Sequence, residues 1–305
     1  MSTRKVLLGT IVVIFLMALL PFAGVGGYVL GLMTSALYFG VFAMGWDLLF
    51  GFAGEVNFGP SFLIGVGAYT AGLLNHYAHW PIIACVPVGA LAAVVAGLLL
   101  AVPALRLSGP YFGLVTLVAV LLLQNVIVIF AGFTGGEIGL DLPDVLAISS
   151  KVNYWYALGV AGIVALALFA LSRSAVGLIL QASGQDAIEA AALGFNVVRH
   201  KLAAFCISAL VSGLAGAMLI FYLGTVSTDS VVDISIGVQV IIAAVLGGRR
   251  TILGGAVGAI FLIVAGELLR PVGQLSTFIV SAFALLVILF FPGGLLGRFI
   301  VREGA

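Results

Sequence analysis

Apolar residues run almost without a break from Val6 to Leu296, interrupted at intervals by short clusters of charge, glycine and proline. A helix needs about 20 predominantly apolar residues to cross the hydrocarbon core, and only helices or closed barrels satisfy every backbone polar group there. These runs are too long for barrel strands. The pattern therefore predicts an all-α, polytopic integral membrane protein of about ten transmembrane helices. Reading between the breaks places the spans at Val6 to Ala23, Tyr28 to Phe50, Phe58 to Leu74, Ile82 to Val102, Tyr111 to Ala131, Asn153 to Leu171, Leu202 to Leu223, Ile234 to Leu246, Leu253 to Leu269 and Leu275 to Leu296. The third, eighth and ninth are short and glycine-rich. Arg4 and Lys5 ahead of the first run resemble a secretory signal, but that run outlasts the roughly 7–15 residues of a signal's apolar region. An uncleaved first span is expected.

Composition agrees: 63% of residues are hydrophobic, 8% are charged and mean hydropathy is +1.34, against roughly a quarter charged in a soluble domain. No half of the chain is polar, so residues 1–305 are expected to form a single transmembrane domain. A net charge of +1 excludes a polybasic nucleic-acid binder. Cys85 and Cys206 fall inside apolar spans, where thiols are small buried hydrophobes.

The placement of charge sets an orientation. With the N-terminus in the cytoplasm, Arg4, Lys5, Arg106, Arg173, Arg199, Lys201, Arg249, Arg250, Arg298 and Arg302 become cytoplasmic. Only Lys151 and Arg270 fall outside, as the positive-inside rule asks of a multi-pass chain with both termini cytoplasmic. The external loops collect Glu137, Asp141, Asp144, Asp229 and Asp233 instead. An even number of spans gives the first and second five opposite senses, hence an expected inverted 5+5 repeat. The external loop 132–152 is long enough for a docking surface. The internal loop 172–200 carries a helix-forming run from Ala187 to Leu193, stopped by Gly194. That helix reads either as a solvated or interfacial linker or as a coupling helix seated in a partner's cleft.

Polar groups inside a bilayer cost several kcal/mol unless bonded, which makes each a functional candidate. Asp47 and Glu55 lie about two turns apart near the inner end of span two, and are expected at the interface or paired with Arg106. Asn57 and Ser61, one turn apart, either face a translocation path or bond helix to helix. Gln124, Asn125 and Gln239 are neutral amides suited to brief hydrogen bonds with a passing solute or to helix association. Glu267 and Arg270 have ion-pair spacing. His76 and His79 are spaced for a metal but lack a third ligand in sequence, and Tyr77 and Trp80 beside them suit interfacial anchoring. The sequence holds no phosphate loop, His-Glu-x-x-His segment or Gly-x-Ser-x-Gly elbow, so no catalytic residues are expected.

Four segments, in order, resemble the branched-chain amino acid ABC importer permeases over roughly residues 30–295, nearer the LivM type than the LivH type. The first is Gly51, Gly54, Asn57, Gly59, Phe62, Gly65, Gly67, Ala68 and Tyr69. The second is Arg106, Gly109, Pro110, Tyr111, Phe112 and Thr116. The third is Thr134, Gly135, Gly136 and Gly139. The last runs through Ala192, Leu193, Gly194, Asn196, Lys201, Ala204, Phe205, Ser208, Ala209, Gly213, Leu214, Ala215 and Gly216. The family's charged stretch before Ala-Leu-Gly is replaced here by Gly184, Gln185, Asp186 and Ala187, which weakens electrostatic steering of a partner. Arg250 stands where a small residue is common.

The resemblance implies a permease subunit in a bacterial inner (plasma) membrane. It also implies a second permease subunit (a paralogue or a second copy), two cytoplasmic ABC ATPase subunits and an external substrate-binding protein. ATP and Mg would sit on the ATPases, with no cofactor on this chain. Gln185, Asp186, Ala187, Glu189, Ala192, Leu193, Gly194, Asn196 and Lys201 are the expected ATPase-coupling residues. Asn57, Ser61, Tyr111, Thr116, Gln124, Asn125 and Gln239 are candidates for the path, and Glu137, Asp141 and Asp144 for binding-protein docking. The implied cargo is a branched-chain or other hydrophobic amino acid, or a related solute such as urea, a short amide or an aromatic acid. The competing reading is an ion-gradient-driven secondary transporter or channel for small neutral solutes, a class that usually carries an unpaired mid-membrane charge. No such charge stands out in the sequence.

Overall fold

The computed structural model describes residues 12–105 and 110–273, with residues 275, 279, 282, 286 and 294 beyond them. Among the described residues the structure is all-α apart from one pair of two-residue strands. Its helices are α1 (Val12–Phe22), α2 (Gly27–Phe52), α3 (Pro60–Ala78), α4 (Ile82–Ala104), α5 (Pro110–Ile129), α6 (Ala131–Thr134), α7 (Ser150–Arg173), α8 (Ala175–Gln185), α9 (Ala187–Ala192), α10 (Val197–Leu223), α11 (Thr228–Val231), α12 (Ile234–Gly247) and α13 (Leu253–Leu268). Strands β1 (Leu140–Asp141) and β2 (Thr225–Val226) pair antiparallel.

Among the described residues, six helices are long and apolar enough to cross a membrane: Gly27–Phe52, Ile82–Ala104, Tyr111–Ile129, Ser150–Arg173, Val197–Leu223 and Thr228–Gly247. The protein is therefore multi-pass and membrane-embedded. Val12–Phe22 and Leu253–Leu268 are shorter apolar helices. Helix α3 spans 19 residues, but its apolar run is diluted by glycines and by Ser61, Asn75 and His76. The expected span at Leu275 to Leu296 and the start of the first lie outside the described residues.

The fold comprises two compact units. One contains the described residues of Met1–Asp47, Ile148–Phe169 and Val240–Ala305. Within it α2 packs on α13 at backbone distance: a methyl placed on Gly40 would lie 3.1 Å from Ala256 Cα, and one on Gly255 2.8 Å from the Ala43 carbonyl carbon. Small residues let helices approach this closely where lipid offers no hydrophobic drive to association. Asp47 holds the turn between α12 and α13. Its Oδ1 accepts from the Arg250 N–H at 3.1 Å and its Oδ2 from the Ile252 N–H at 2.9 Å. Arg250 and Ile252 have φ of 62° and 52°, a conformation L-residues rarely adopt, and the buried carboxylate is what holds it. At the far end of α13, Arg270 pairs with Glu267 at 3.3 Å and both bond Tyr28. That ion pair matches its spacing in sequence.

The other unit contains the described residues of Leu48–Ala147 and Ala170–Gln239. Its centre is the 27-residue α10, flanked by α3 and α4. A methyl on Gly67 would fall 2.5 Å from Gly213 Cα, and one on Gly89 2.5 Å from Gly67 O, so α3, α4 and α10 meet backbone to backbone. In sequence the small-residue faces at Gly59 to Gly72 and Gly247 to Gly258 suit sliding surfaces; in this conformation they are tightly seated.

Asp47→Ala leaves two buried N–H donors unsatisfied and is expected to destabilise by about 3 kcal/mol, with Asp47→Asn milder because one acceptor remains; thermal unfolding in detergent measures both. Gly67→Ala is expected to cost about 1–3 kcal/mol by overpacking. Gly159→Ala, with no atom within 4 Å of the added methyl, is expected to be neutral or slightly stabilising.

Candidate functional site

Both ends of the second unit carry chemistry, separated by the length of α3, about 28 Å at 1.5 Å per residue. At one end the last turn of α2 widens into a π-turn over Leu48–Phe52, with the Ala53 and Glu55 N–H groups donating to Leu48 O and Leu49 O. Such turns are rare and often mark functional positions. The chain then leaves helical geometry at Gly54, whose φ of 73° suits glycine. Gly184, near the end of α8, sits directly against this segment: a methyl on it would lie 2.4 Å from Phe52 O. Lys201 Nζ binds Glu55 Oε1 at 2.7 Å, with both side chains largely buried. Glu55 thus pairs with Lys201, and Asp47 binds the α12–α13 turn; Arg106, the partner expected from sequence, lies outside the described residues.

The loop 172–200 contains more helix than expected. Helix α7 runs to Arg173, α8 fills 175–185, and α10 starts at Val197 rather than Leu202. Helix α9 takes the predicted place. Asp186 caps it, Oδ1 accepting from the Ile188 and Glu189 N–H groups at 2.8 and 3.0 Å, and Gly194 follows with φ 90°. Asn196 caps α10 through the Arg199 N–H at 3.0 Å. Gln185, Asp186, Ala187, Glu189, Ala192, Leu193, Gly194 and Asn196 are all exposed. So are two large apolar side chains, Ile188 at 82% and Leu193 at 75%, giving this charged end an apolar knob.

Asn57 and Ser61 do not share a helical turn, as expected from their spacing. Helix α3 begins at Pro60, and Asn57 lies before it with Oδ1 accepting the Gly59 N–H at 2.8 Å. Thr116 secures the same segment, accepting from the Phe58 N–H at 3.0 Å and donating to Gly113 O at 2.7 Å. Tyr111 and Gln239 are exposed. Ser61 is fully buried, and its Oγ has no hydrogen-bond partner.

Alongside α3, where a methyl on Gly65 would meet Val232 and Leu123, the residues Gln124, Asn125, Val128, Glu137, Thr228, Asp229 and Asp233 line an open cavity of about 530 Å³. Two path candidates thus share a wall with the docking candidate Glu137. The other two, Asp141 and Asp144, sit in a latch that sequence reading missed. Asn75, buried at the end of α3, donates to Asp144 Oδ2 at 2.8 Å and accepts from the Asp144 N–H at 3.3 Å. His76 Nδ1 lies 3.0 Å from Asp141 O, and Tyr77 stacks on Phe133. A lone buried asparagine facing a distant acid leaves no periodic trace in sequence.

Because Glu55 and Lys201 are 18% and 14% exposed, their coupling is expected to exceed that of a surface pair, at about 1–3 kcal/mol. A double-mutant cycle with Glu55→Gln and Lys201→Met, read by thermal unfolding, measures it.

A model of the family described as "Branched-chain amino acid transport system / permease component" matches residues 28–292. The high-affinity branched-chain amino acid transport system permease protein LivM of Salmonella typhimurium is 29% identical, over 93% of this chain and 74% of its own length. LivM of Escherichia coli is also 29% identical, over 97% and 76%. LivH of Salmonella typhimurium, from the same named system, is 26% identical over 87% and 93%. No solved structure matches. The resemblance carried by the four sequence segments is therefore confirmed: the chain belongs to the family of branched-chain amino acid transport system permease components, and it is a transport subunit rather than an enzyme.

Proposed function

We propose that this permease subunit of an ABC importer moves branched-chain or other hydrophobic amino acids inward across a bacterial inner membrane. An external binding protein delivers the cargo, and two cytoplasmic ATPases seat on α8 and α9. ATP and Mg belong to those ATPases, and a second permease copy or paralogue completes the membrane core. The observation that carries this reading is the arrangement of α9. It presents Ile188 and Leu193 outward, while α8 rests through Gly184 on the backbone of Phe52–Gly54, a few residues before α3 begins. A push on α9 thereby reaches the start of a buried transmembrane helix.

Charge supports the orientation. Within the second unit Arg173, Arg199 and Lys201 gather at the α9 end, and Glu137, Asp141, Asp144, Asp229 and Asp233 lie away from it around the cavity and the end of α3, which supports a cytoplasmic α9 and, by alternation, cytoplasmic termini. The packing also supports ten spans in an inverted 5+5 repeat within one permease domain. A five-span offset turns the pair α2 on α13 into the pair α10 on α4, and both occur. It also maps Asn57 before α3 onto Asp233 before α12, each accepting the N–H two residues ahead. Glu137, Asp141 and Asp144 then face the binding protein.

The test is reconstitution with the cognate ATPases and binding protein. Ile188→Asp combined with Leu193→Asp is expected to abolish solute-stimulated ATP hydrolysis while the permease stays folded, since both side chains are exposed. Uptake driven by an ion gradient through this chain alone would overturn the importer reading.

A further inference from the structure

Two helices begin face to face within the second unit. Helix α3 starts at Pro60 and α12 at Ile234, and Gly237 in the first turn of α12 stands against that start: a methyl on it would lie 3.3 Å from Ser61 Oγ and 3.5 Å from Pro60 Cδ. A helix start carries a partial positive charge and unsatisfied N–H groups. At α12 this charge is met by Asp233, whose Oδ1 accepts the Ser235 N–H at 2.7 Å. At α3 no acid among the described residues caps the start: the cap residue Gly59 has no side chain to offer, neutral Asn57 accepts the Gly59 N–H, and Glu55 is engaged by Lys201. The Ser61 hydroxyl at this uncompensated start is 0% exposed and has no hydrogen-bond partner. A buried unsatisfied hydroxyl costs about 1–3 kcal/mol. Alanine would avoid that cost without disturbing the helix.

Asp233 lies one helical turn from Gly237, and it also lines the 530 Å³ cavity beside Asp229, Glu137 and the carboxamides of Gln124 and Asn125. An electronegative chamber therefore adjoins an uncompensated electropositive helix start, with the first turn of α12 between them. We propose that Ser61 and the start of α3 form a carboxylate subsite on the translocation path. When the first turn of α12 withdraws, the Ser61 hydroxyl donates to the solute's α-carboxylate, and the acid-lined cavity attracts its ammonium group. The cargo class is then a zwitterionic α-amino acid, not urea or a neutral amide. This rests on the importer reading above.

The test uses the permease reconstituted with its ATPases and binding protein, with uptake of radiolabelled neutral L-amino acids and of urea and acetamide measured beside thermal unfolding. Ser61→Ala is expected to leave the unfolding temperature unchanged or raised and to slow ATP-driven amino-acid uptake about tenfold, the loss of one hydrogen bond to a charged group. Ser61→Asp supplies a tethered carboxylate to the same helix start, and is expected to block uptake without lowering the unfolding temperature. Wild-type uptake by Ser61→Ala overturns the proposal. So does a lowered unfolding temperature in that variant, which would mean the hydroxyl is structural. If the wild type takes up urea or acetamide but no amino acid, the subsite falls and the importer stands. Absence of any ATP-driven uptake removes both.

Discussion

A helix that stops inside a bilayer leaves backbone groups that no solvent will satisfy, so every such break must be bonded by the protein itself. The segment between α2 and α3 is such a break, and much of the second unit is arranged around it. Thr116 takes the Phe58 N–H, Asn57 takes the Gly59 N–H, and the π-turn redirects the Ala53 and Glu55 N–H groups to carbonyls further back than usual. Gly54 permits the reversal, and Gly184 permits α8 to lie on it. A side chain at position 184 would separate α8 from the break. The contact between the internal loop and the membrane core would then go with it.

The break is also where several roles meet. One side receives the loop that carries α9, and the other is the start of α3, where the buried Ser61 hydroxyl faces Gly237. Irregular backbone in membrane proteins is tolerated where it is buried in protein or lines a cavity, and transporters place binding groups at such interruptions. The same few residues thus connect the loop that carries α9 to the helix start that abuts the first turn of α12. Glu55 and Lys201 tie the break to α10, the central helix of its unit, so movement of the loop does not simply peel it away.

Much of this was legible in the sequence. The long apolar runs marked α4, α5, α7 and α10, because period and length dominate where lipid is the solvent. Helix α9 was legible because a cap, a strong helix-forming run and a glycine stop occur in order. The break at 53–59 was not: Asn57 and Ser61 fit helical spacing, and only the tertiary contacts with Thr116 and Gly184 favour the irregular path. Glu55 and Asp47 pointed to pairing, but their partners lie 146 and more than 200 residues away, beyond any local pattern. The four family-like segments overlapped these contacts without revealing them: Gly54 belongs to the first and Lys201 to the last.

The far end of α3 is built in the opposite manner. Asn75 is bonded twice to Asp144, His76 approaches Asp141 O, Tyr77 stacks on Phe133, and the β1–β2 pair joins the external loop to the chain after α10. Cross-bracing at that end ties the end of α3 to the loop 132–152. At the other end α9 makes few bonds beyond its own caps and exposes its apolar side chains. In the importer proposed above, a load on α9 reaches α3 at its Ser61 end, while the Asn75 end is the one braced to the loop 132–152.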